Sequence, residues 1–314
     1  MRKSTLLIAL MFLFAVTAFA QPVGYADKIL GRWDVTVQGS DGTSFPSWFE
    51  IQHRTEGQIM ARVVGHFGSM RYATEATYKD GQLTITVPRQ YEVAPPVLIF
   101  AGKLEGDKLV GTVQDEKGAP VNWTAVKAPE MRRTTKPNWG ASIKLFNGKD
   151  LTGWKQRNNL HPNCWMVENG LLSNKTPCAD LISEQKFTDF KLHVEFQNVK
   201  NGNSGIYLRG RHEVQINDAY GQAADSLRMG GVYGFLKPNA NASKAPGEWQ
   251  VFDITLIGRR VTVVLNGQTV IENEEIPGIT GGALDSNEGE PGPIMMQGDH
   301  TKVMFRNITI TPSK

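Results

Sequence analysis

Beyond its first twenty residues, the sequence has no apolar run long enough to cross a bilayer, which takes about 20 residues. It also lacks a large charge excess, because 34 basic residues face 31 acidic residues, for a formal net charge of +3. Without Arg2 and Lys3 the value is near 3 − 2 = +1, and no basic stripe follows. These absences argue against a membrane protein and against a nucleic-acid partner.

Cysteine is scarce, and none stands directly after the cleavage site expected after Ala20, so a bacterial lipid anchor is not expected. The two cysteines are Cys164 and Cys178. In an exported protein they are compatible with one disulfide. Two free buried thiols fit the sequence equally well, so both possibilities stay open.

The N-terminus has the composition of a secretory signal peptide. Arg2 and Lys3 give a basic start, residues 6–14 are apolar, and Ala18-Phe19-Ala20 is a small-residue cleavage site. The apolar run is shorter than a bilayer span, which favours cleavage over an uncleaved anchor. We therefore expect residues 1–20 to be removed and the mature protein to be periplasmic or secreted.

No long amphipathic helix is apparent, and apolar residues recur with a period of two. Residues 26–128 contain about seven short alternating segments separated by turn signals such as Asp41-Gly42 and Asp80-Gly81. This spacing predicts a small antiparallel β-barrel or sandwich. The segment Gly31-Arg32-Trp33 resembles the start of lipocalin-like barrels. Such a module is either purely structural or a carrier of one small ligand.

The second half of the chain is also β-rich. Residues 129–141 are basic, contain proline and show no periodicity, which is typical of a linker. Residues 142–314 contain about twelve alternating segments and an Asn266-Gly267 hairpin signal. The sequence therefore predicts an all-β protein, in which a small antiparallel barrel precedes a two-sheet jelly-roll sandwich.

Three segments of the second domain each carry one apolar face and one face of large hydrogen-bonding side chains. A solvated sheet face usually carries Lys, Thr and Ser, whereas planar, bidentate side chains suit the recognition of hydroxyls and carboxylates. An ordinary half-buried sheet with a wet face is the simpler alternative. We predict a functional cleft in which the following residues share one concave face: His193, Glu195, Tyr207, Arg209, Glu213 and Gln215.

Four separated segments, in order, resemble the 3-keto-disaccharide hydrolase domain family: residues 145–155, 203–218, 266–300 and 305–312. The resemblance covers about 143–312 and implies a concanavalin-like jelly roll. It also implies exported enzymes that cleave sugars already oxidised at C3. One departure is Thr301, which follows Asp299-His300 where family members usually have Gly.

A ketone at C3 acidifies the hydrogen on C2, so a base can form an enolate and the C1 substituent can leave by β-elimination. Water can then add back, for net hydrolysis. The site needs a base, an acid and a stabiliser of the C3 oxyanion. The candidate catalytic residues are His193, Glu195, Arg209, Glu213 and His300. The candidate substrate-binding residues are Tyr207, Gln215, Asn217, Asp218, Trp249 and Gln297. A divalent cation would also stabilise an enolate, but no compact ligand motif is present and the metal is left open.

Two loops, 219–231 and 285–293, are expected to frame the cleft as lids or specificity elements. The acidic residues of the second loop, Asp285, Glu288 and Glu290, are more simply explained as solvated. The expected partner is a small carbohydrate. Two alternatives compete with keto-sugar cleavage: an ordinary glycosidase that uses Glu195 and Glu213 as a carboxylate pair, and a non-catalytic carbohydrate-binding module.

Overall fold

The computed structural model describes residues 27–55, 57–91, 96–115, 118–158, 163–174 and 178–314. The expected signal peptide, residues 1–20, lies outside these ranges. Within them the regular secondary structure consists of β-strands, which confirms the predicted all-β class. None of the described residues forms a helix long and apolar enough to span a membrane.

The N-terminal part forms one nine-stranded antiparallel sheet, in the order β4-β3-β2-β1-β9-β8-β7-β6-β5. Its edges approach each other, because Ala73 N donates to Ala61 O and Thr74 N donates to Thr86 O, each at 2.9 Å. The sheet is therefore curled into a barrel. Its strands are β1 (Gly31–Gln38), β2 (Ser44–Thr55), β3 (Gln58–Val64), β4 (Arg71–Tyr72), β5 (Glu75–Lys79), β6 (Gln82–Pro88), β7 (Val97–Glu105), β8 (Lys108–Gln114) and β9 (Pro120–Lys127).

The barrel interior is filled by its own side chains. Trp33, Phe49 and Trp123 are each at most 1% exposed, and the Phe49 and Trp123 rings pack edge to face at 5.7 Å. The Trp33 indole N–H donates to Ile29 O at 2.8 Å, so its polar atom is satisfied as well. This interior is a packed core, which favours the structural interpretation of the barrel over the ligand-carrying one.

The C-terminal part forms two further sheets. The eight-stranded sheet has the order β12-β13-β22-β15-β18-β19-β20, with β10 also paired to β22, and the five-stranded sheet has the order β11-β14-β21-β16-β17. The strands are β10 (Ile143–Lys144), β11 (Trp154–Gln156), β12 (Met166–Glu168), β13 (Leu171–Ser173), β14 (Leu181–Phe187), β15 (Phe190–Asn198), β16 (Asn203–Leu208), β17 (His212–Asn217), β18 (Gln250–Ile257), β19 (Arg260–Leu265), β20 (Gln268–Glu275), β21 (Gly292–Met296) and β22 (Val303–Pro312).

The apolar faces of these two sheets pack against each other. Val194 and Phe196 from the eight-stranded sheet share one buried core with Ile206, Val214 and Met296 from the five-stranded sheet. Polar residues that alternate with them in sequence therefore point away from this core. Each sheet consequently has its own outward face, and the two outward faces lie on opposite sides of the sandwich.

Cys164 and Cys178 form a disulfide, which decides between the two possibilities that the sequence left open. The expected linker packs on the sandwich in places. Met131 is 5% exposed, and the Arg133 guanidinium donates to Asp189 at 2.8 Å. The division into domains at 129–141 stays a prediction.

The barrel packs against the sandwich through an apolar contact and a buried ionic cluster. The Trp48 ring lies edge to face with Phe235 at 5.4 Å and so close to Gly278 that a Cβ there would be 2.3 Å from the indole. The ionic cluster consists of Asp34 from the barrel with Arg209, His212, Arg259 and Glu288 from the sandwich, all at most 5% exposed.

Asp34 and Glu288 are two buried carboxyl groups of this cluster. Burial raises the pKa of both, so the charged form of each is disfavoured. Arg259 donates to Glu288 Oε1, and His212 Nε2 lies 3.6 Å from that oxygen, so Glu288 carries the negative charge. Burial, followed by the charge of Glu288, raises the pKa of Asp34 to about 8, and Asp34 keeps the proton.

The variant Asp34→Asn is expected to become more stable than the wild type as the pH rises. Between its unfolded pKa near 3.8 and its folded pKa of about 8, Asp34 holds a proton only in the folded state, so the wild type loses stability through this window. An asparagine amide keeps the donor to Glu288 and does not titrate. We expect an advantage of about 1–3 kcal/mol at pH 8–9, measured by urea unfolding. If the difference in the free energy of unfolding between the two proteins does not change between pH 5 and pH 9, Asp34 does not hold a proton in the folded state.

Candidate active site

The outward face of the five-stranded sheet carries a row of polar side chains. Cross-strand pairing places Tyr207 opposite Glu213 and Met295, and Gly205 opposite Gln215. By the same alternation, residues just beyond the strand ends join this face. We refer to the following residues as the polar face: Arg157, Asp180, Asn203, Tyr207, Glu213, Gln215 and Gln297.

Glu213 lies at the centre of the polar face and is 3% exposed. With the Gln215 amide oriented so that its nitrogen faces the carboxyl group, that nitrogen lies 3.0 Å from Glu213 Oε1. The neighbouring strand β16 has no room for a side chain at this position, because a Cβ on Gly205 would lie 2.3 Å from Glu213 Oε1. Glycine at position 205 therefore makes the space that the Glu213 carboxyl group occupies.

Burial favours the protonated form of the Glu213 carboxyl group. The Tyr207 hydroxyl oxygen lies 3.0 Å from both Glu213 Oε2 and the Gly281 carbonyl oxygen, yet it has only one proton to donate. It donates that proton toward both acceptors, as a bifurcated hydrogen bond. Burial raises the pKa of Glu213 to about 8; the hydrogen bond from Tyr207 opposes this rise, and the charges of Asp180 and Asp299 add to it.

A fixed cation lies on the same face. Arg157 Nη1 is 3.1 Å from Asp180 Oδ2, and the guanidinium donates to the carbonyl oxygens of Gly282 and Ala283 at 2.7 Å. Burial raises the pKa of Asp180, while a hydrogen bond from Gly298 N and the charge of Arg157 oppose that rise. Arg157 thus connects the polar face to the segment that accepts the Tyr207 hydroxyl.

His300 lies on the loop that borders the polar face. Its side chain is 43% exposed, and its Nδ1 is 3.7 Å from Asp299 Oδ1. Thr301, at the position where the sequence departs from the family, fixes this loop. Its hydroxyl accepts from Asn203 N at 2.7 Å and donates to Asn203 O at 2.9 Å. The substitution therefore adds a tether between the His300 loop and the first residue of β16.

An unpaired acceptor also lies at the polar face. Gln297 Oε1 is buried and has no hydrogen-bond partner within the part of the chain that the structure describes. The side chains of Asn203, Tyr233 and Gln297 are partly exposed next to Glu213. A ligand hydroxyl could satisfy the Gln297 oxygen, as expected of a polar group placed for binding.

The prediction that six residues share one face is wrong for His193 and Glu195. Both lie on the outward face of the eight-stranded sheet, on the other side of the core from Glu213. His193 Nδ1 is 2.7 Å from Asp253, and Glu195 accepts from Arg306 and Asn307 at 2.6 Å. Alternation correctly predicted that these side chains point away from the core, but it cannot tell which sheet a strand joins.

The candidate Trp249 lies with that second group. Its ring stacks against the Arg306 guanidinium at 3.9 Å, and Arg306 is the partner of Glu195. Trp249 is therefore remote from the polar face, and its prediction as a substrate contact is wrong for a site at Glu213.

Arg209 does not reach the polar face either. The β16 strand ends at Leu208, and Arg209 has a φ of +54°, so the alternation stops one residue before it. Its side chain is 0% exposed and donates to Gly258 O at 3.1 Å, within the ionic cluster at the barrel. Burial lowers the pKa of its guanidinium to about 10. The assignment of Arg209 as the oxyanion stabiliser is corrected to a structural one.

Two further candidates fix neighbouring loops. Asn217 Oδ1 accepts from Met229 N at 2.8 Å, and Asp218 Oδ2 accepts from Asn201 N at 2.9 Å. Loop 219–231 runs beside β17, where Gln215 N donates to Gly231 O at 2.9 Å, so it borders the polar face as expected. Loop 285–293 instead packs on the barrel, because Ser286 donates to Val35 O, and it is neither a lid nor fully solvated.

Sequence reasoning missed Arg157, Asp180 and Tyr233. Arg157 follows the three-residue strand β11 and Asp180 precedes the seven-residue strand β14, so both lie outside the segments in which alternation gives a signal. Asp299 was visible only as the neighbour of His300. Within the described ranges, no three His, Cys, Asp or Glu side chains come together in a group that could hold a metal ion.

Residues 141–311 match the family model described as the 3-keto-alpha-glucoside-1,2-lyase-like domain. A 3-keto-disaccharide hydrolase of Bacteroides thetaiotaomicron is 31% identical over 131 residues, which are 37% of this chain and 45% of that relative. The chain thus spans about half the length of the curated relative that it matches.

Solved structures are similar to part of the chain. A candidate glycosyl hydrolase of Parabacteroides distasonis is 30% identical with a TM-score of 0.48, and the match covers 59% of this chain and 96% of that one. A Bacillus licheniformis β-glucanase is 15% identical with a TM-score of 0.34, covering 56% of this chain and 99% of that one.

Proposed function

The chain belongs to the 3-keto-alpha-glucoside-1,2-lyase-like domain family, and from this membership we propose that it cleaves the glycosidic bond of 3-keto-glycosides. The observation that carries the proposal is a buried, protonated Glu213 on a polar sheet face. A carboxyl group that holds its proton at neutral pH is suited to protonate a leaving oxygen. The name of the Bacteroides thetaiotaomicron relative supports a disaccharide as the substrate.

The proposed reaction begins with proton removal from C2 by His300, because histidine is the side chain that most often acts as a general base. The C2–H electron pair forms the C1–C2 double bond, and the C1–O bond breaks toward the leaving oxygen. That oxygen takes the proton of Glu213. Arg157 places a positive charge at the polar face for the C3 oxygen while negative charge develops there. Addition of water, with hydroxide to C1 and a proton to C2, completes net hydrolysis.

The ordinary glycosidase alternative does not fit the geometry. Its two carboxylates must lie about 5–9.5 Å apart across the scissile bond. Glu195 and Glu213 instead point outward from two packed sheets, whose backbones are about 10 Å apart. A retaining or inverting pair made of these two residues is therefore excluded.

An exported protein is part of the proposal. The basic and then apolar N-terminus supports it, and so does the Cys164–Cys178 disulfide, because such bonds persist in oxidising compartments. The substrate is then an extracytoplasmic small carbohydrate.

Product analysis by NMR in deuterated water tests the reaction. We expect turnover of a 3-keto-disaccharide, with deuterium at C2 of the released 3-keto sugar, and no turnover of the parent disaccharide. Deuterium enters because the proton that returns to C2 comes from the solvent. The control is the same keto sugar incubated without enzyme, which measures spontaneous exchange. Cleavage with hydrogen retained at C2 would contradict elimination, and binding without turnover would favour the carbohydrate-binding module.

A further inference from the structure

The barrel lies next to the loops that cover Glu213. Gly282 N donates to the carbonyl oxygen of His66 at 2.9 Å. A Cβ on Gly281 would lie 2.1 Å from Gly68 O, so the two backbones touch directly. Gly281 is also the residue whose carbonyl oxygen lies 3.0 Å from the Tyr207 hydroxyl. The barrel turn at residues 66–69 therefore contacts Gly281, whose carbonyl oxygen lies beside the Tyr207 hydroxyl that is hydrogen-bonded to the proposed acid.

A second barrel segment reaches the same region. Gln90 Oε1 accepts from Ser69 N at 3.0 Å, which ties the two barrel segments together. The Tyr91 hydroxyl is hydrogen-bonded to the hydroxyl of Tyr233, and Tyr233 is close enough to Glu213 for that carboxyl group to affect its pKa. Tyr233 N also donates to Glu213 O at 3.0 Å. Tyr91 therefore belongs to the barrel but lies at the edge of the active-site face.

These two barrel segments present aromatic rings to solvent. Phe67 is 49% exposed and Tyr91 is 64% exposed, and both line one shallow depression at the mouth of the barrel. Phe67 stacks on His66 with ring centroids 3.8 Å apart, and His66 stacks on Phe45 at 4.5 Å. The stack fixes the orientation of Phe67. An exposed, oriented ring beside a polar cleft is suited to pack against the C–H face of a sugar.

We propose that Phe67 and Tyr91 form a stacking platform for the sugar ring that leaves from C1. The proposal rests on the function proposed above, in which Glu213 protonates the leaving oxygen. Since Tyr91 is joined to Tyr233, which lies beside the proposed acid Glu213, the platform lies on the leaving-group side of the scissile bond. Both rings lie outside residues 141–311. The family domain then performs the chemistry, and the barrel selects the leaving group.

The test compares two substrates that differ only in the leaving group: a 3-keto-disaccharide and the methyl 3-keto-glucoside. Phe67→Ala and Tyr91→Ala should each lower kcat/KM for the disaccharide roughly tenfold and leave the methyl glycoside within about twofold. Tyr91→Phe keeps the ring and should retain most of the activity. Tyr72, a tyrosine on β4 that is 59% exposed, offers the control Tyr72→Ala, which should change neither substrate.

An equal loss on both substrates, or no loss on either, would overturn the platform. If the wild type turns over neither substrate, the function proposed above fails and binding of the parent disaccharide becomes the readout, measured by saturation-transfer NMR. Binding that is lost in the Phe67→Ala, Tyr91→Ala double variant and kept in Tyr72→Ala would still support the platform. Binding that is unchanged in the double variant would overturn it.

Discussion

Replacement of Glu213 by glutamine is expected to lower kcat on a 3-keto-glycoside by about 10²–10⁴-fold, the usual contribution of general acid catalysis. Glutamine preserves the shape of the side chain and its contact with Tyr207, but it has no proton to give to a leaving oxygen. The fold should be intact, since the protonated carboxyl group and the amide are both neutral. Steady-state kinetics with an unfolding curve for each protein would measure both effects.

The pH dependence provides a second readout of the same residue. Because the acid form is required and the pKa of Glu213 is about 8, wild-type kcat should fall as the pH rises through that value. The residual activity of Glu213→Gln should lack this alkaline limb. A better leaving group, which needs less protonation, should recover part of the lost rate.

Glu195 offers a matched control on the other side of the sandwich. Glu195→Gln makes the same chemical change and is expected to leave kcat within about twofold, at the cost of its ion pair with Arg306. If Glu213→Gln keeps near wild-type kcat, the acid must be another group. If only Glu195→Gln is inactive, the active site lies on the eight-stranded sheet and not, as proposed, on the five-stranded sheet.

Glu288→Ala is expected to destabilise the protein by about 3–5 kcal/mol, because it leaves buried cations without their counter-charge. Arg259 loses the carboxylate that accepts its hydrogen bond, and the negative charge beside Arg209 and His212 disappears. Asp34 also loses its hydrogen-bond partner. Chemical denaturation at pH 7 would measure the change in the free energy of unfolding.

Glu290 lies on the same loop but is exposed, so Glu290→Ala is the control and should stay within about 0.5 kcal/mol of the wild type. Arg209→Ala tests the corrected assignment of that arginine. We expect it to lower stability and to leave kcat per folded molecule close to the wild-type value. A large loss of kcat with unchanged stability would return Arg209 to the active site.

Much of the fold was predictable from alternation alone. Residues such as Val194, Ile206 and Val214 were assigned to an apolar face, and all three lie in the core shared by the two sheets. Turn signals such as Asp80-Gly81 and Asn266-Gly267 separate consecutive paired strands, as expected. These features are local, since hydrophobic period and turn chemistry act over a few residues.

The structure brings some of the candidate site residues together. Tyr207, Glu213, Gln215 and Gln297 come together on one face, and His300 borders it. Arg157 and Asp180 were missed because each lies just outside its strand, beyond the segment in which alternation gives a signal. Arg209 was misplaced because a left-handed turn residue ended the alternation. His193 was misplaced because the identity of its sheet is not encoded in its own segment.

By itself, then, the sequence determined which side chains point toward a core and which point outward, because a strand places successive residues on opposite sides. It also determined the family, through motifs in order along residues 141–311. Only the tertiary structure decided which outward residues meet. Strand order brings β16 and β17 beside β21 but puts β15 in the other sheet. Burial, which depends on loops distant in sequence, then raises the pKa of Glu213 and buries Glu288 against the barrel.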